Sequence, residues 1–198
     1  MSGEPDVRAG LVAPAVAAEH PGLRVAWTDV EATPGRTPAA LRERLAVMAN
    51  RMRGADAVAI RRREVPHAYR VFFRHVGLDP DAVRTPVEAL VLQRMAEGGL
   101  RARDLVTDAL AVAVLETGIG LWAFDAGQLT GAPRIEEADG RLVLADEAGA
   151  LGRLFAEPER ALVTRATRSI ALVAIVVPNV PDVFAYEALW TAWDILAA

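Results

Sequence analysis

The spacing of apolar residues changes along the chain, and the changes divide it into regions. The segments "AGLVAPAV" (9–16) and "LRVAWTDVEA" (23–32) flank a Pro-Gly break, and the second is rich in β-branched residues, so both are predicted to be strands. Helical spacing dominates residues 37–118, and strand spacing returns from Ile119. Strands before and after a central group of helices indicate an α+β protein rather than alternating βαβ units.

The first two predicted helices carry clear apolar stripes. One helix begins at Thr37-Pro38, and its buried positions are Leu41, Leu45, Met48 and Met52. The next begins near Pro66, and its inward positions are Tyr69, Phe72, Phe73 and Val76. The basic positions of this second helix are expected on the opposite side, facing solvent: His67, Arg70 and Arg74.

The next predicted helix is recognised by its ends, and the one after it by its apolar composition. Thr85 offers an N-cap oxygen, Glu88 completes a capping box, and Gly98 can adopt the left-handed conformation that ends a helix. The segment "RDLVTDALAVAVLETG" (103–118) is apolar on almost every side and is therefore predicted to be buried.

The remaining elements are a set of strands and a final helix. The segment "GLWAFDA" is predicted to be a strand, "PRIEEADGRLVLAD" a hairpin turning at Asp139-Gly140, and "AGALGRLF" an extension of the same sheet. The β-branched segment "IALVAIVV" is predicted to be a strand buried on both faces. The last helix carries an apolar stripe at helical spacing: Val183, Tyr186, Trp190 and Trp193.

Composition excludes several kinds of site. The chain has 198 residues, 53% of them hydrophobic and 24% charged, which is typical of a folded globular protein. Its longest apolar run is about half of what a membrane-spanning helix needs, and its start lacks the features of a secretory signal, so a cytoplasmic protein without membrane contact is expected. The absence of cysteine and the three dispersed histidines predict no metal site and no cofactor.

Charge is unevenly distributed. The net charge is −4, but all 22 basic residues are arginine and they are concentrated between Arg42 and Arg74. Arginine binds phosphate oxygens through two parallel hydrogen bonds, so this segment is a candidate contact with a nucleic-acid backbone. The alternative is a solvated helical surface with no binding role.

The segment "VPHAYRVFFRHVGLDPDAVRTPVEALVLQRMAEGGL" (65–100) resembles the B3/4 domain, the editing domain of the bacterial phenylalanyl-tRNA synthetase beta chain. It is similar above all to free-standing relatives that consist of little else. Further matches follow in order: Asp108, "LETG" (115–118), "FD" (124–125), "ADEAG" (145–149) and "VTRATRS" (163–169). The resemblance runs from Leu23 to the C-terminus, which predicts a lead and first strand (1–22) followed by a single B3/4-like domain (23–198).

The resemblance implies an α+β fold with mixed sheets of unusual topology. It also implies binding of tRNA or aminoacyl-tRNA, and trans-editing by hydrolysis of the ester in a mischarged tRNA. Some polar residues of the family are replaced here: Asp104-Leu105 stands for an asparagine-proline pair, and Ala111 for an asparagine. The alternative is therefore a non-catalytic module that binds RNA or a small amino-acid-like ligand.

The candidate pocket residues are those that coincide with family positions or carry hydroxyl groups: Asp108, Glu116, Asp125, Thr164 and Thr167. Each also has a structural interpretation. Asp108 can tether its helix to a loop, Glu116 can be a solvated carboxylate, and Asp125 can form a turn. The candidate RNA-binding residues are basic: His67, Arg70, Arg74, Arg61, Arg62 and Arg63. The sequence does not identify a catalytic residue. The C-terminal helix is a candidate surface for homo-oligomerisation.

Overall fold

Two four-stranded sheets form the framework in the computed structural model, which describes residues 3–51 and 59–198. The strands are β1 (Arg8–Ala9), β2 (Leu11–Val12), β3 (Arg24–Glu31), β4 (Gly120–Asp125), β5 (Arg134–Ala138), β6 (Arg141–Asp146), β7 (Gly149–Arg153) and β8 (Ser169–Val176). The first sheet has the order β1-β3-β8-β4 and is antiparallel throughout. The second has the order β2-β5-β6-β7, in which only the β2–β5 pairing is parallel.

Helices occupy the middle of the chain, as predicted. The helices within the described residues are α1 (Pro14–Glu19), α2 (Ala39–Arg51), α3 (Glu64–His75), α4 (Pro86–Ala96), α5 (Leu105–Thr117) and α6 (Asp182–Ala197). Four of these lie between β3 and β4 in the chain, which confirms the α+β class. Met52, the last position of the stripe predicted for α2, lies outside the described residues.

The predicted ends of α4 are confirmed, and both ends of α5 are capped as well. Thr85 and Glu88 form the capping box of α4, and Gly98 has a φ of 83° directly after that helix. The Asp104 carboxylate caps α5 by accepting a hydrogen bond of 2.9 Å from the Thr107 amide. At the other end Gly118 has a φ of 81°, and a Cβ added there would approach Pro66 to 3.0 Å. Only glycine fits this position without strain.

The prediction of a strand over residues 9–16 is wrong in its second half. Ala9 pairs with β3 and Leu11–Val12 pairs with β5, but α1 begins at Pro14. Proline has no N–H to donate to a sheet, and its fixed φ suits the first position of a helix. The alanines that follow favour the helix, and Val16 contributes to the core from it.

Strand β8 lies at the centre of the core. All of its residues except Ser169 are buried, as predicted from its continuous apolar sequence. Helix α6 packs on β8 and β3, and α5 packs on α6 and β4. From α3, the Tyr69 hydroxyl donates to the Ile175 carbonyl and accepts from the Gly120 amide at 3.0 Å. Burial raises the pKa of Tyr69 above its ordinary value.

The N-terminal segment contributes one short strand to each sheet, because β1 pairs with β3 and β2 pairs with β5. The division of the chain at residue 23 remains a prediction. Within residues 3–51 and 59–198, no helix combines the length and the apolar character needed to cross a membrane.

Candidate functional site

A groove of about 1220 Å³ opens along the outer edge of β4. Helices α4 and α5 form one side of it, and the segment 155–165 forms the other. Its floor is apolar, and the residues that form it are Leu90, Leu110, Val114 and Leu121. Its rim is polar and rich in arginine, and it includes Arg36, Gln93, Arg103, Glu157, Thr164 and Arg165. This groove has both an apolar interior and placed polar groups, as ligand sites commonly do.

The sequence of α5 explains why this helix can build the groove. It packs against α6 on one side, so it needs apolar residues there, and its other side supplies Leu110 and Val114 to the groove floor. At its N-terminal end Asp104 faces the groove, but its carboxylate accepts from both the amide and the hydroxyl of Thr107, at 2.9 and 2.7 Å. Asp104 is therefore engaged in capping the helix.

Asp108 lies behind the groove rather than in it. Its side chain is fully buried and accepts hydrogen bonds from the Thr37 hydroxyl at 2.6 Å, from Arg94 at 3.0 Å and from the Arg103 amide at 2.8 Å. These bonds connect α5 with α4 and with the segment that precedes α2. The geometry is that of the structural tether, the alternative that the sequence left open.

Glu116 also lies away from the groove. Its two oxygens accept from Arg44 of α2 at 2.8 Å, and both side chains are partly exposed. It lines a separate cavity of about 220 Å³ together with Arg63 and Phe184. The structure therefore does not bring Glu116 into one site with the other candidate pocket residues.

Asp125, Thr167 and Thr164 are joined to one another by hydrogen bonds. The Thr167 hydroxyl donates to Asp125 at 2.8 Å and accepts from the Thr164 amide at 3.0 Å. Burial alone would raise the pKa of Asp125, but hydrogen bonds from Gln128, Thr167 and the Gly127 amide hold it below its ordinary value. This cluster fixes the start of β8 against the end of β4. Of the candidate pocket residues, only Thr164 lines the groove.

Arg70 is not on the solvent-facing side of α3, and the prediction that it lies there is wrong. It is buried, and its guanidinium donates to Glu88 at 2.9 Å and to Asp81 at 2.7 Å. The Asp81 hydrogen bond raises the pKa of Arg70 above its ordinary value. The buried side of α3 is wider than its aromatic stripe, because Pro66, Arg70 and Phe73 follow at spacings of 4 and 3 and are all buried.

The other candidate RNA-binding residues are exposed and form what we call the cationic surface: Arg61, Arg62, Arg63, His67 and Arg74. The arginines of the 3₁₀ turn at Ile60–Arg62 lead directly into α3 through Arg63. Helical spacing continues the surface from Arg63 to His67 and on to Arg74. All five residues are thus exposed around one 3₁₀ turn and the helix that follows it, whereas Arg70 is buried.

Several groove residues were not predicted from the sequence. Arg36, Arg103 and Arg165 line the groove rim, but none of the three is a candidate site residue from the sequence, although Arg165 lies in the quoted segment "VTRATRS". Arg94 also reaches the groove, although its side chain is 1% exposed and its Nε atom has no hydrogen-bond partner within the described residues. Trp122 ties the segment 155–165 to β4 by donating from Nε1 to the Ala156 carbonyl at 2.9 Å.

Within the described part of the chain, no three His, Asp or Glu residues are grouped so that they could hold a metal ion. The sequence matches no protein-family model and no curated protein. The resemblance to the B3/4 domain stays a prediction from the residues quoted above.

Proposed function

We propose that this protein binds the aminoacylated 3′ end of a tRNA in the groove along β4. The observation that supports the proposal is the combination of an apolar floor with an arginine rim. The floor suits the side chain of an apolar or aromatic amino acid, and the forks of Arg36, Arg103 and Arg165 suit the phosphates of the attached nucleotides. The volume of about 1220 Å³ exceeds that of most small-molecule pockets, as a ligand made of an amino acid and nucleotides requires.

The cationic surface supplies the second part of the proposal, a contact with the tRNA backbone. It lies next to the groove, since Arg63 shares a small cavity with Val87 while the neighbouring Pro86 lines the groove. Arg63 and the groove thus lie at adjacent residues of the first turn of α4. Phosphate contacts of this kind provide affinity without sequence specificity and weaken as salt is added. A cytoplasmic site of action belongs to the same proposal, because charged tRNA is used there.

Binding without hydrolysis is the function that the groove geometry favours. A general base needs a carboxylate or imidazole that is free to accept a proton from water. The Asp104 carboxylate is engaged with Thr107, and Glu157 stands on the exposed rim. The trans-editing activity that the resemblance implies would rely on Glu157 or on the ribose hydroxyl of the substrate as proton acceptor. The non-catalytic alternative is accordingly the form of the proposal that we carry forward.

The proposal is tested with tRNA for phenylalanine in three forms: uncharged, charged with phenylalanine and charged with tyrosine. We expect both charged forms to bind more tightly than the uncharged form, with no release of amino acid beyond that in buffer. Ala89→Trp would place a large side chain in the groove and should remove the preference for charged tRNA. Met95→Trp, at an exposed position of the same helix that points away from the groove, is the matched control and should retain it.

Two results would change the proposal. Equal binding of charged and uncharged tRNA by the unaltered protein would show that the groove does not hold the aminoacyl group. If the protein instead hydrolyses charged tRNA faster than buffer does, and Ala89→Trp abolishes that hydrolysis, the protein is a deacylase.

Helix α6 supports a further, separate proposal of homodimer formation. Its buried side consists mainly of small residues, and the exposed side carries Val183, Tyr186 and Trp190, which are 64%, 45% and 37% exposed. Trp193, the fourth position of the predicted stripe, is half-buried and donates to the Asp29 carbonyl at 3.1 Å. Exposed aromatic and β-branched residues in one stripe suit an isologous contact between two copies.

A further inference from the structure

The outer edge of β4 carries main-chain groups that point into the groove. In an antiparallel pair, the N–H and C=O of successive residues point alternately toward and away from the partner strand. The Gly120 amide points toward β8, because it donates to the Tyr69 hydroxyl that itself donates to Ile175 of β8. The Asp125 amide points away, because it donates at 2.8 Å to the Ala161 carbonyl outside the sheet. By alternation, the main-chain groups of Leu121 and Ala123 also point away from β8.

These outward groups have no hydrogen-bond partner in the described part of the chain. Asp125 is the one outward-facing position of β4 whose amide is paired within residues 3–51 and 59–198, and neither Leu121 nor Ala123 takes part in a bond outside the sheet. Leu121 is 7% exposed, whereas Ala123 is half-buried, and both line the groove. Ala123 is therefore the position at which a ligand has access to an unpaired N–H and C=O.

An aminoacyl group matches this pair of main-chain groups. In an antiparallel sheet, one residue facing Ala123 in a hydrogen-bonded pair would donate its N–H and accept at its C=O. An aminoacyl ester carries an ammonium donor at its α-nitrogen and an acceptor at its ester carbonyl, in the places of the N–H and C=O of such a residue. We propose that the Ala123 carbonyl accepts a hydrogen bond from the α-ammonium of the aminoacyl group and that the Ala123 amide donates to its ester carbonyl. This inference rests on the proposed function, since it concerns the same groove.

Two properties of the groove support this ligand over a longer extended peptide. Toward the C-terminal end of β4, the outward amide of Asp125 already donates to the Ala161 carbonyl. Toward the N-terminal end, the outward position Leu121 is buried. The accessible edge of β4 is therefore one residue long. The arginine rim adds positive charge that suits the phosphate groups of a nucleotide attached to the aminoacyl group. Main-chain recognition reads the α-amino acid core without its side chain, which leaves side-chain preference to the apolar floor.

The test uses a stable analogue, adenosine with an L-phenylalanylamino group in place of its 3′ hydroxyl, whose amide replaces the labile ester. Ala123→Pro removes the outward-pointing N–H of this residue. The sheet should tolerate proline at this edge position because the lost N–H does not face β8. We expect it to weaken binding of the analogue by about tenfold or more, the loss that removal of one hydrogen bond to a ligand produces. Ala123→Val adds a side chain about as large as that of proline but keeps the N–H, so it should weaken binding of the analogue less than Ala123→Pro does.

A second measurement does not depend on the folding of the proline variant. Hydrogen exchange of the Ala123 amide in the unaltered protein should slow when the analogue binds and stay unchanged with adenosine alone. A matching analogue with 3-phenylpropanoyl in place of phenylalanyl lacks the ammonium and should bind more weakly.

The outcomes separate this inference from the proposed function. The Ala123 contact is overturned if the analogue binds without protecting the Ala123 amide and a folded Ala123→Pro variant binds it equally well. Aminoacyl binding in the groove would still stand in that case. Failure of the unaltered protein to bind the analogue overturns both.

Discussion

The carboxylate of Asp108 accepts a hydrogen bond from Arg94 at 3.0 Å, and the two side chains are 0% and 1% exposed. An ion pair this deeply buried contributes little net stability, yet removing one partner leaves the other charge uncompensated. We expect Asp108→Asn to lower the free energy of unfolding by about 3–5 kcal/mol, with binding falling only in step with the folded fraction. Urea unfolding and tRNA binding, measured on one preparation, check this.

Glu116→Gln is the matched control for that change. It also converts a carboxylate into an amide opposite an arginine, but the Arg44–Glu116 pair is 42% and 38% exposed. Its stability cost should be below about 1 kcal/mol. If Asp108→Asn instead leaves the urea midpoint unchanged while tRNA binding is lost, Asp108 acts on the ligand and the tether interpretation is wrong.

Arg70 and Arg74 should respond differently to substitution although both are basic residues of α3. Arg70→Ala leaves the buried Glu88 without its ion-pair partner and should cost about 3 kcal/mol or more. Arg74→Glu changes an exposed residue and should alter stability by less than about 0.5 kcal/mol. Thermal unfolding of the two variants provides the comparison.

The same Arg74→Glu variant tests the cationic surface. It should weaken tRNA binding and reduce the salt dependence of the binding constant, since one phosphate contact is lost. Arg62→Glu should act in the same way. Salt titrations that coincide with those of the unaltered protein for both variants would show that the tRNA does not contact this surface.

Asp146 should make the protein sensitive to acid. Burial acts to raise the pKa of this fully buried carboxyl, but the Thr130 and Ala148 amides, each at 2.8 Å, and Arg160 hold it below its ordinary value. A carboxyl whose pKa is lower in the folded than in the unfolded protein stabilises the fold above the unfolded value of about 3.9. That stability is lost as the pH falls through the folded pKa.

Asp146→Asn should therefore cost about 1–3 kcal/mol at pH 7 and flatten the loss of stability below about pH 4. Urea midpoints measured at several pH values between neutrality and acid give both quantities. Asp139→Asn is the control, because this exposed turn residue has a φ of 50° that asparagine also tolerates. Parallel pH profiles for Asp146→Asn and the unaltered protein would contradict the assignment.

The exposed stripe of α6 predicts a concentration-dependent mass. Light scattering should show a dimer, and Trp190→Arg should convert it to a monomer because the contact would bury an unpaired charge from each copy. Arg74→Glu, which changes the charge of an exposed residue outside this helix, is the control. A monomer at every concentration for the unaltered protein would exclude this surface as a dimer contact.

Local signals predicted much of the fold, because they depend on a few adjacent residues. The capping box of Thr85 and Glu88, the turn at Asp139-Gly140 and the buried strand β8 all lie where the sequence indicates. Arg70 shows the limit of such reasoning. Its type predicts exposure, but the buried Glu88 of another helix offers a partner that only the tertiary structure brings near.

The site was harder to predict than the fold, because the groove is formed by residues from distant segments. Arg36, Arg103 and Arg165 share a rim only after the chain has folded, and the sequence pattern near Arg165 singles out its neighbours Thr164 and Thr167 instead. Asp108 has the opposite character. As a carboxylate in an apolar helix it is conspicuous in the sequence. Its hydrogen-bond partners all lie outside its own helix, as expected of a structural tether.

The pairing of β3 with β8 has a consequence for folding during synthesis. Glu31 pairs with Ser169, so the central pair of strands in the first sheet joins segments that are far apart in the chain. On the ribosome, helices α2 to α5 can form from local contacts while β3 is still unpaired and its apolar residues are exposed. The sheet can close only after β8 has emerged, which makes nascent chains that end before it candidates for chaperone binding.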